Sequence, residues 1–106
     1  MAIVEVSVVP LGTGDTSLSG YVAKVLEVLV ESGVKYEITP MGTILSGSLD
    51  EIFPVISKMH ERCFEEGVQR VLTVIKIDDR RDKRVEPQDK VSSVKAKLTK
   101  RGAVKQ

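Results

Sequence analysis

Residues 36–43 read YEITPMGT and predict a strand that runs into a turn. Alternation along the strand puts Glu37 and Thr39 on one face of a sheet, and the residues before each of them on the other face, which we assign to the core. Pro40 ends regular pairing, and Gly42 has the backbone freedom that a reversing chain needs. The residues after the turn predict a short strand that folds back as a hairpin.

A helix is predicted before this hairpin. Apolar residues recur at helical spacing from Val22 to Val30, and Gly33 stands where a helix often ends. A Gly- and Thr-rich loop precedes this stretch, so we expect Thr16 or Ser17 to cap the helix.

A second helix is predicted after the hairpin. Residues 48–51 read SLDE, the pattern of a capping box. The apolar stripe that follows, from Ile52 to Phe64, predicts a helix that ends before Gly67. Pro54 lies in its first turns, where a missing N–H matters less than in mid-helix.

The remaining elements are the first strand, the last strand and a polar C-terminal helix. The first strand is mostly β-branched and is closed by Pro10, and a charged turn over residues 78–87 precedes the last helix. The predicted bounds are 3–9, 43–46 and 68–77 for the strands and 88–98 for the helix.

The order βαββαβ predicts an α+β fold of the ferredoxin-like kind. Its sheet is antiparallel, both helices pack on one face, and the C-terminal helix is an addition. We expect a single domain over residues 1–98 and a flexible basic tail over residues 99–106.

One face of this sheet is left without helices and is half apolar. Such a face gains most by pairing between subunits, so we expect a homodimer, by sheet packing or edge pairing, or a homotetramer. The residues assigned to this open face are Glu5, Ser7, Val9, Glu37, Thr39, Leu72, Val74 and Lys76.

Composition is that of an ordinary globular domain. The 106 residues are 42% hydrophobic and 29% charged, with a net charge of +1, so no overall field attracts nucleic acid or membranes. The chain has one cysteine, Cys63, and shows no secretory leader and no apolar stretch long enough to span a bilayer. We expect a cytoplasmic protein.

Three segments carry a resemblance to a known family. Residues 8–12 (VVPLG), residues 36–43 and residues 71–80 (VLTVIKIDDR) resemble, in that order, the thiamine-binding protein family related to the YkoF-like proteins. The resemblance runs to residue 98. It implies a ferredoxin-like fold, assembly into dimers and tetramers, and binding of thiamine or hydroxymethylpyrimidine in some members. Because a chain of 106 residues cannot easily hold both a core and a deep pocket of its own, we expect a non-catalytic binding site at a subunit interface. We expect no cofactor.

The chemistry of thiamine suggests which side chains would bind it. Its aminopyrimidine needs hydrogen-bonding carboxylates or hydroxyls, and its thiazolium cation needs apolar or π-rich walls. Glu37 and Thr39 are equally interpretable as ordinary cross-strand neighbours on a sheet. The candidate ligand-binding residues are Glu5, Ser7, Leu11, Gly12, Glu37, Thr39, Met41, Gly42 and Thr43, beside which Val9 is a candidate wall.

Three other features have a functional and a structural interpretation. The loop over residues 12–17 resembles an anion cradle but lacks the lysine of a phosphate-binding loop, which favours an ordinary capped loop. His60 and Cys63 have metal-ligand spacing without a second pair, so we assign Cys63 to the core and expect no metal. The charged residues of the 78–84 turn predict a self-neutralising set of ion pairs, in which Asp78 and Arg80 are also candidate ties across an oligomer.

Other functional classes have weaker support. Nucleic-acid binding is the alternative of a different class, because basic residues end the chain, but the sheet lacks an aromatic pair for base stacking. No nucleophile and base are arranged for an enzyme. A metabolite sensor or a structural oligomer without thiamine would share the sequence features of a thiamine-binding protein, and both remain alternatives.

Overall fold

The fold is described by a computed structural model for residues 1–14, 18–82 and 87–100, without the side chains of residues 99 and 100. Its four strands form one antiparallel sheet in the order β2-β3-β1-β4. The predicted α+β fold, with its βαββαβ order and extra C-terminal helix, is confirmed. The elements are β1 Ala2–Leu11, α1 Ser19–Ser32, β2 Lys35–Thr39, β3 Gly42–Gly47, α2 Leu49–Glu65, β4 Arg70–Asp79 and α3 Pro87–Lys100.

The core lies between one face of the sheet and the helices α1 and α2. Val4 and Leu45 are directly opposite each other on β1 and β3, and both are fully buried. Leu29 of α1 and Ile52 and Met59 of α2 pack onto this face. Cys63 is also buried there, as predicted, and burial, followed by the nearby Glu66 carboxylate, raises the pKa of its thiol.

The helix ends are set by local chemistry. The Ser48 hydroxyl accepts a hydrogen bond from the N–H of Glu51 at 3.3 Å, as the capping-box pattern predicts. The predicted Gly33 end of α1 is confirmed by a left-handed φ of 75°. The predicted caps Thr16 and Ser17 lie outside the described residues; α1 begins after Leu18, which makes no side-chain capping bond.

The prediction that Pro10 closes β1 is wrong. Pro10 is paired with Val71 inside the strand, which continues to Leu11. Beyond Val6, β1 pairs with β4 alone, so alternate N–H groups of this stretch face no strand. A proline is tolerated in such a strand because only one of its edges is paired.

The two faces of the sheet follow the predicted alternation. Tyr36 and Ile38 share the helix-covered face, since they pair with Leu45 and Thr43, but they are 39% and 59% exposed. Their assignment to the core is therefore wrong. The reason is that β2 is an edge strand against which neither α1 nor α2 packs extensively.

The charged turn after β4 is largely self-paired. β4 continues through Asp79, so its last two residues come from the predicted turn. Arg81 pairs with Asp79 at 3.0 Å, and Arg80 binds Asp82 through two nitrogens. Asp78 pairs with Lys90 of α3. The predicted ion pairs among these residues are confirmed within the chain; Lys83 and Arg84 lie outside the described residues.

Candidate functional site

A cavity of about 190 Å³ lies at the end of the sheet where β1 extends past β3. β1 pairs with β3 only as far as Val6, whereas it pairs with β4 as far as Leu11. Residues 7–9 therefore have a strand on one side and the cavity on the other. The hairpin turn between β2 and β3 borders this opening.

The walls of the cavity come from three directions. Four apolar residues of α1 and its N-cap close the helix side, and Met59 of α2 adds to them. The hairpin turn contributes Met41, whose side chain is 86% exposed. The lining residues are Val6, Ser7, Val8, Val9, Leu18, Val22, Val25, Leu26, Ile38, Thr39, Pro40, Met41, Gly42, Thr43 and Met59.

Hydroxyl groups supply the side-chain polarity of this lining. Thr39 Oγ1 donates a hydrogen bond to the carbonyl of Gly42 at 2.8 Å, which closes the turn and leaves the lone pairs of the hydroxyl oxygen as acceptors. Ser7 and Thr43 add two further hydroxyls. The lining therefore offers donors and acceptors without a fixed charge.

The backbone of β1 adds a second set of polar groups. In an antiparallel strand the N–H and C=O of one residue point to the same side, and the side alternates along the chain. The carbonyl oxygen of Val6 lies against Gly42 of β3, so Val8, two residues on, directs both groups away from β4 and toward the cavity. A flat ligand with an edge of donors and acceptors could pair with this backbone as a strand would.

Gly42 is required by close packing and not by an unusual backbone angle. Its φ is not positive, which corrects the expectation that the turn needs the backbone freedom of a glycine at this position. A Cβ at this position would lie 2.9 Å from the carbonyl oxygen of Val6. It would also lie 3.7 Å from Cγ of Glu5, so the Glu5 side chain extends beside the cavity rim.

The structure divides the residues predicted to bind a ligand into three groups. Five of them line the cavity together: Ser7, Thr39, Met41, Gly42 and Thr43.

The two carboxylates form the second group. Glu5 and Glu37 both pair with Ile44, on either side of it, and so share the open face. They lie two residues along their strands from Ser7 and Thr39, which border the cavity.

The third group lies elsewhere. Leu11 and Gly12 line a separate depression of about 470 Å³, together with Tyr21 and Arg70. The loop over residues 12–17, considered as an anion cradle, is described only in part, since residues 15–17 lie outside the described residues.

Sequence reasoning missed the contribution of α1. Leu18, Val22, Val25 and Leu26 form the helix side of the cavity, although only Val25 among them is fully buried. The signal was present in the sequence, because α1 has more apolar positions than one core-facing stripe requires. What the sequence did not show was that β3 would leave space beneath them.

Two further observations limit the chemistry. In the described parts of the chain, no three His, Cys, Asp or Glu residues are grouped so that they could hold a metal. His60 Nδ1 is instead 2.7 Å from Thr73 Oγ1, a contact that ties α2 to β4.

No helix among the described residues has the length and apolar character needed to cross a membrane.

A family model and relatives of similar sequence place the chain in the same family. The family model described as "Thiamine-binding protein" matches residues 4–95. The UPF0045 protein YqgV of Bacillus subtilis is 44% identical over 102 residues, covering 92% of this chain and 98% of the relative. A UPF0045 protein of Methanothermobacter thermautotrophicus is 48% identical over 99 residues, covering 92% of this chain and all of the relative.

Solved structures share the same fold. The hypothetical protein MJ1052 of Methanocaldococcus jannaschii superposes with a TM-score of 0.81 at 38% identity, covering 89% of this chain and 95% of that one. A Thermotoga maritima protein, provisionally described as a thiamine biosynthesis/salvage protein, superposes with a TM-score of 0.72 at 25% identity, covering 88% and 97%.

Proposed function

The chain belongs to the thiamine-binding protein family, and we propose that it binds thiamine or its hydroxymethylpyrimidine part, without catalysing a reaction. The proposed site is the cavity beneath the β2–β3 turn. The observation that carries this proposal is the combination of apolar walls from α1 with hydroxyls and unpaired strand backbone on the opposite side.

The aminopyrimidine ring suits this lining. It is flat, with an exocyclic amine that donates hydrogen bonds and ring nitrogens that accept them. The hydroxyls of Ser7 and Thr43 and the free side of β1 can meet both kinds of group, and the Thr39 oxygen can accept from the amine. Val22 and Leu26 of α1 supply the apolar surface for the face of the ring.

The thiazolium ring is a fixed cation and needs different neighbours. The exposed Met41 thioether at the turn is a polarizable surface for it. Glu5, whose side chain lies beside Gly42, supplies a negative charge at the rim. Glu37 is the second carboxylate of this proposal, since it lies across Ile44 from Glu5 on the same face.

A second subunit is proposed to complete the pocket. A volume of about 190 Å³ is smaller than the roughly 300–1,000 Å³ typical of pockets that bury a small-molecule ligand. Ser7, Val9 and Thr39 border the cavity on the open face, so a partner packed on this face would close it there. The proposed assembly is a homodimer or homotetramer.

Light scattering at micromolar protein concentration checks the assembly. The expected result is the mass of a dimer or a larger oligomer, because the half-apolar open face gains about 25 cal/mol for each Å² of apolar surface that is buried. A mass that stays at the 11.6 kDa of the monomer would contradict the shared pocket.

The binding proposal is tested by calorimetric titration of the purified protein with thiamine, thiamine phosphate and hydroxymethylpyrimidine in separate experiments. We expect heat of binding and thermal stabilisation with at least one of them, with a dissociation constant in the micromolar range or below. If none of the three binds, thiamine binding is excluded for this chain and the cavity requires another ligand.

The carboxylate at the rim is tested by Glu5→Gln. This change is expected to weaken thiamine binding by up to about 1 kcal/mol, because an opposite charge at an exposed rim contributes little to binding the thiazolium cation. Glu37→Gln tests the second carboxylate in the same titration. Glu61→Gln, an exposed carboxylate on α2, is the matched control and should bind as the unmodified protein does. Equal affinities for Glu5→Gln and the control would remove Glu5 from the site.

A further inference from the structure

The described side chains that line the cavity beneath the β2–β3 turn are all uncharged. The helix side is apolar, and the opposite side offers hydroxyls and strand backbone. A phosphate group that moved from water into this lining would lose its hydration without meeting a cation, which is costly for any ion. A phosphorylated ligand would therefore have to keep its phosphate outside the cavity, at the rim.

The rim itself carries two carboxylates. Glu5 extends beside Gly42, since a Cβ at that glycine would lie 3.7 Å from Cγ of Glu5. Glu37 lies on the same face across Ile44, two residues from Thr39. Both carboxylates attract a cation such as the thiazolium ring. They repel a phosphate ester, which carries about one and a half to two negative charges at pH 7.

The cationic residues of the open face lie farther from the rim. Lys76 is opposite Glu5 on β4, across β1 from the cavity. Lys35 begins β2, at the end of this strand that is remote from the turn. Arg70 is opposite Leu11 and lines the separate depression of about 470 Å³. Among the described residues of this face, the carboxylates are therefore the charged groups nearest to the rim.

The start of α1 does not offset this charge. A helix N-terminus favours anions because its first N–H groups are free. The first turn of α1, from Ser19 to Tyr21, is absent from the cavity lining, and Tyr21 borders the separate depression instead. The side chains with which α1 and its N-cap meet the cavity are all apolar.

We propose that this site selects its ligand by charge: it binds the unphosphorylated form, thiamine or hydroxymethylpyrimidine, and disfavours the phosphate esters. Glu5 and Glu37 are the specificity-determining residues. This inference rests on the proposed function, because it concerns the same cavity, and it adds the chemical form in which the ligand is bound.

Calorimetric titration with thiamine, thiamine phosphate and the acetate ester of thiamine separates charge from size. The acetate ester adds a group to the same oxygen without a negative charge. We expect thiamine phosphate to bind at least about fivefold more weakly than thiamine, the scale of an exposed charge interaction. The acetate ester should bind nearly as thiamine does. Hydroxymethylpyrimidine and its phosphate are compared in the same way.

Salt provides a second readout of the same cause. At about 1 M salt, charges are screened over roughly 3 Å. The difference in affinity between thiamine and thiamine phosphate should then largely disappear, whereas a difference caused by shape would remain.

Charge reversal at the rim tests the residues. Glu5→Lys should strengthen the binding of thiamine phosphate and weaken that of thiamine, so the ratio of the two affinities narrows. Lys76 faces this position on β4, so Glu37→Lys on the edge strand is the second variant, and the melting temperature checks the fold of both. Glu61→Lys, on the exposed side of α2, is the control and should leave the ratio unchanged.

The outcomes separate this inference from the proposed function. The inference is overturned if thiamine binds and its phosphate binds as tightly, if the acetate ester loses as much affinity as the phosphate, or if both rim variants keep the ratio of the control. A protein that binds neither thiamine nor hydroxymethylpyrimidine, nor their esters, contradicts the proposed function itself, and the unmodified protein shows this in the first titrations.

Discussion

Leu45→Ala is expected to lower the free energy of unfolding by about 2–5 kcal/mol, the range for removing a large aliphatic side chain from a core. Leu45 lies in the middle of the helix-covered face of the sheet and is fully buried. Its removal leaves a cavity between β3 and the helices that the surrounding side chains fill only in part. Urea unfolding followed by circular dichroism measures the loss.

Ile38→Ala is the matched control for this variant. Ile38 points to the same face from the neighbouring strand but is 59% exposed, so less apolar surface returns to water when it is truncated. Its loss of stability should be clearly smaller than that of Leu45→Ala. Equal losses would contradict the placement of β2 as an edge strand that is only partly covered by the helices.

Val22→Phe is expected to weaken thiamine binding at least about tenfold, which is roughly 1.4 kcal/mol. Val22 lines the cavity from α1 and is 43% exposed, so a larger side chain would occupy space proposed for the ligand without disturbing the core. Calorimetric titration gives the affinity, and the melting temperature without ligand checks that the fold survives.

Val30→Phe provides the comparison on the same helix. Val30 is 66% exposed and is absent from the cavity lining, so this variant should bind thiamine as the unmodified protein does. If Val22→Phe and Val30→Phe bind equally well, the cavity beneath the hairpin turn is not the thiamine site, even if the protein binds thiamine elsewhere.

Elements and sheet faces could be predicted because their signals are local. The capping box before α2 and the glycine after α1 are short patterns that satisfy backbone groups within one turn, and both were found where predicted. Alternation likewise assigned Glu37 and Thr39 to the open face, because successive side chains of any strand point to opposite sides.

Burial was less predictable because it depends on neighbours distant in sequence. Ile38 has the right parity for the core but lies on an edge strand. Pro10 has the chemistry of a strand end but lies where one side of β1 is already unpaired. The sequence around Ile38 is that of a buried strand residue, and the sequence around Pro10 is that of a strand end. Only the neighbouring strands show that both predictions are wrong.

The candidate site shows the same division. The sequence by itself determined the fold class, the family and the residue types available to a ligand, since periodicity and short motifs are properties of the chain. Only the tertiary structure decided that Ser7, Thr39 and Met41 meet α1 at one cavity while Leu11 and Gly12 line another. The reason is physical: the cavity exists because β1 continues beyond Val6, the last residue that pairs with β3. The relative length and register of two strands are decided only when the strands pair.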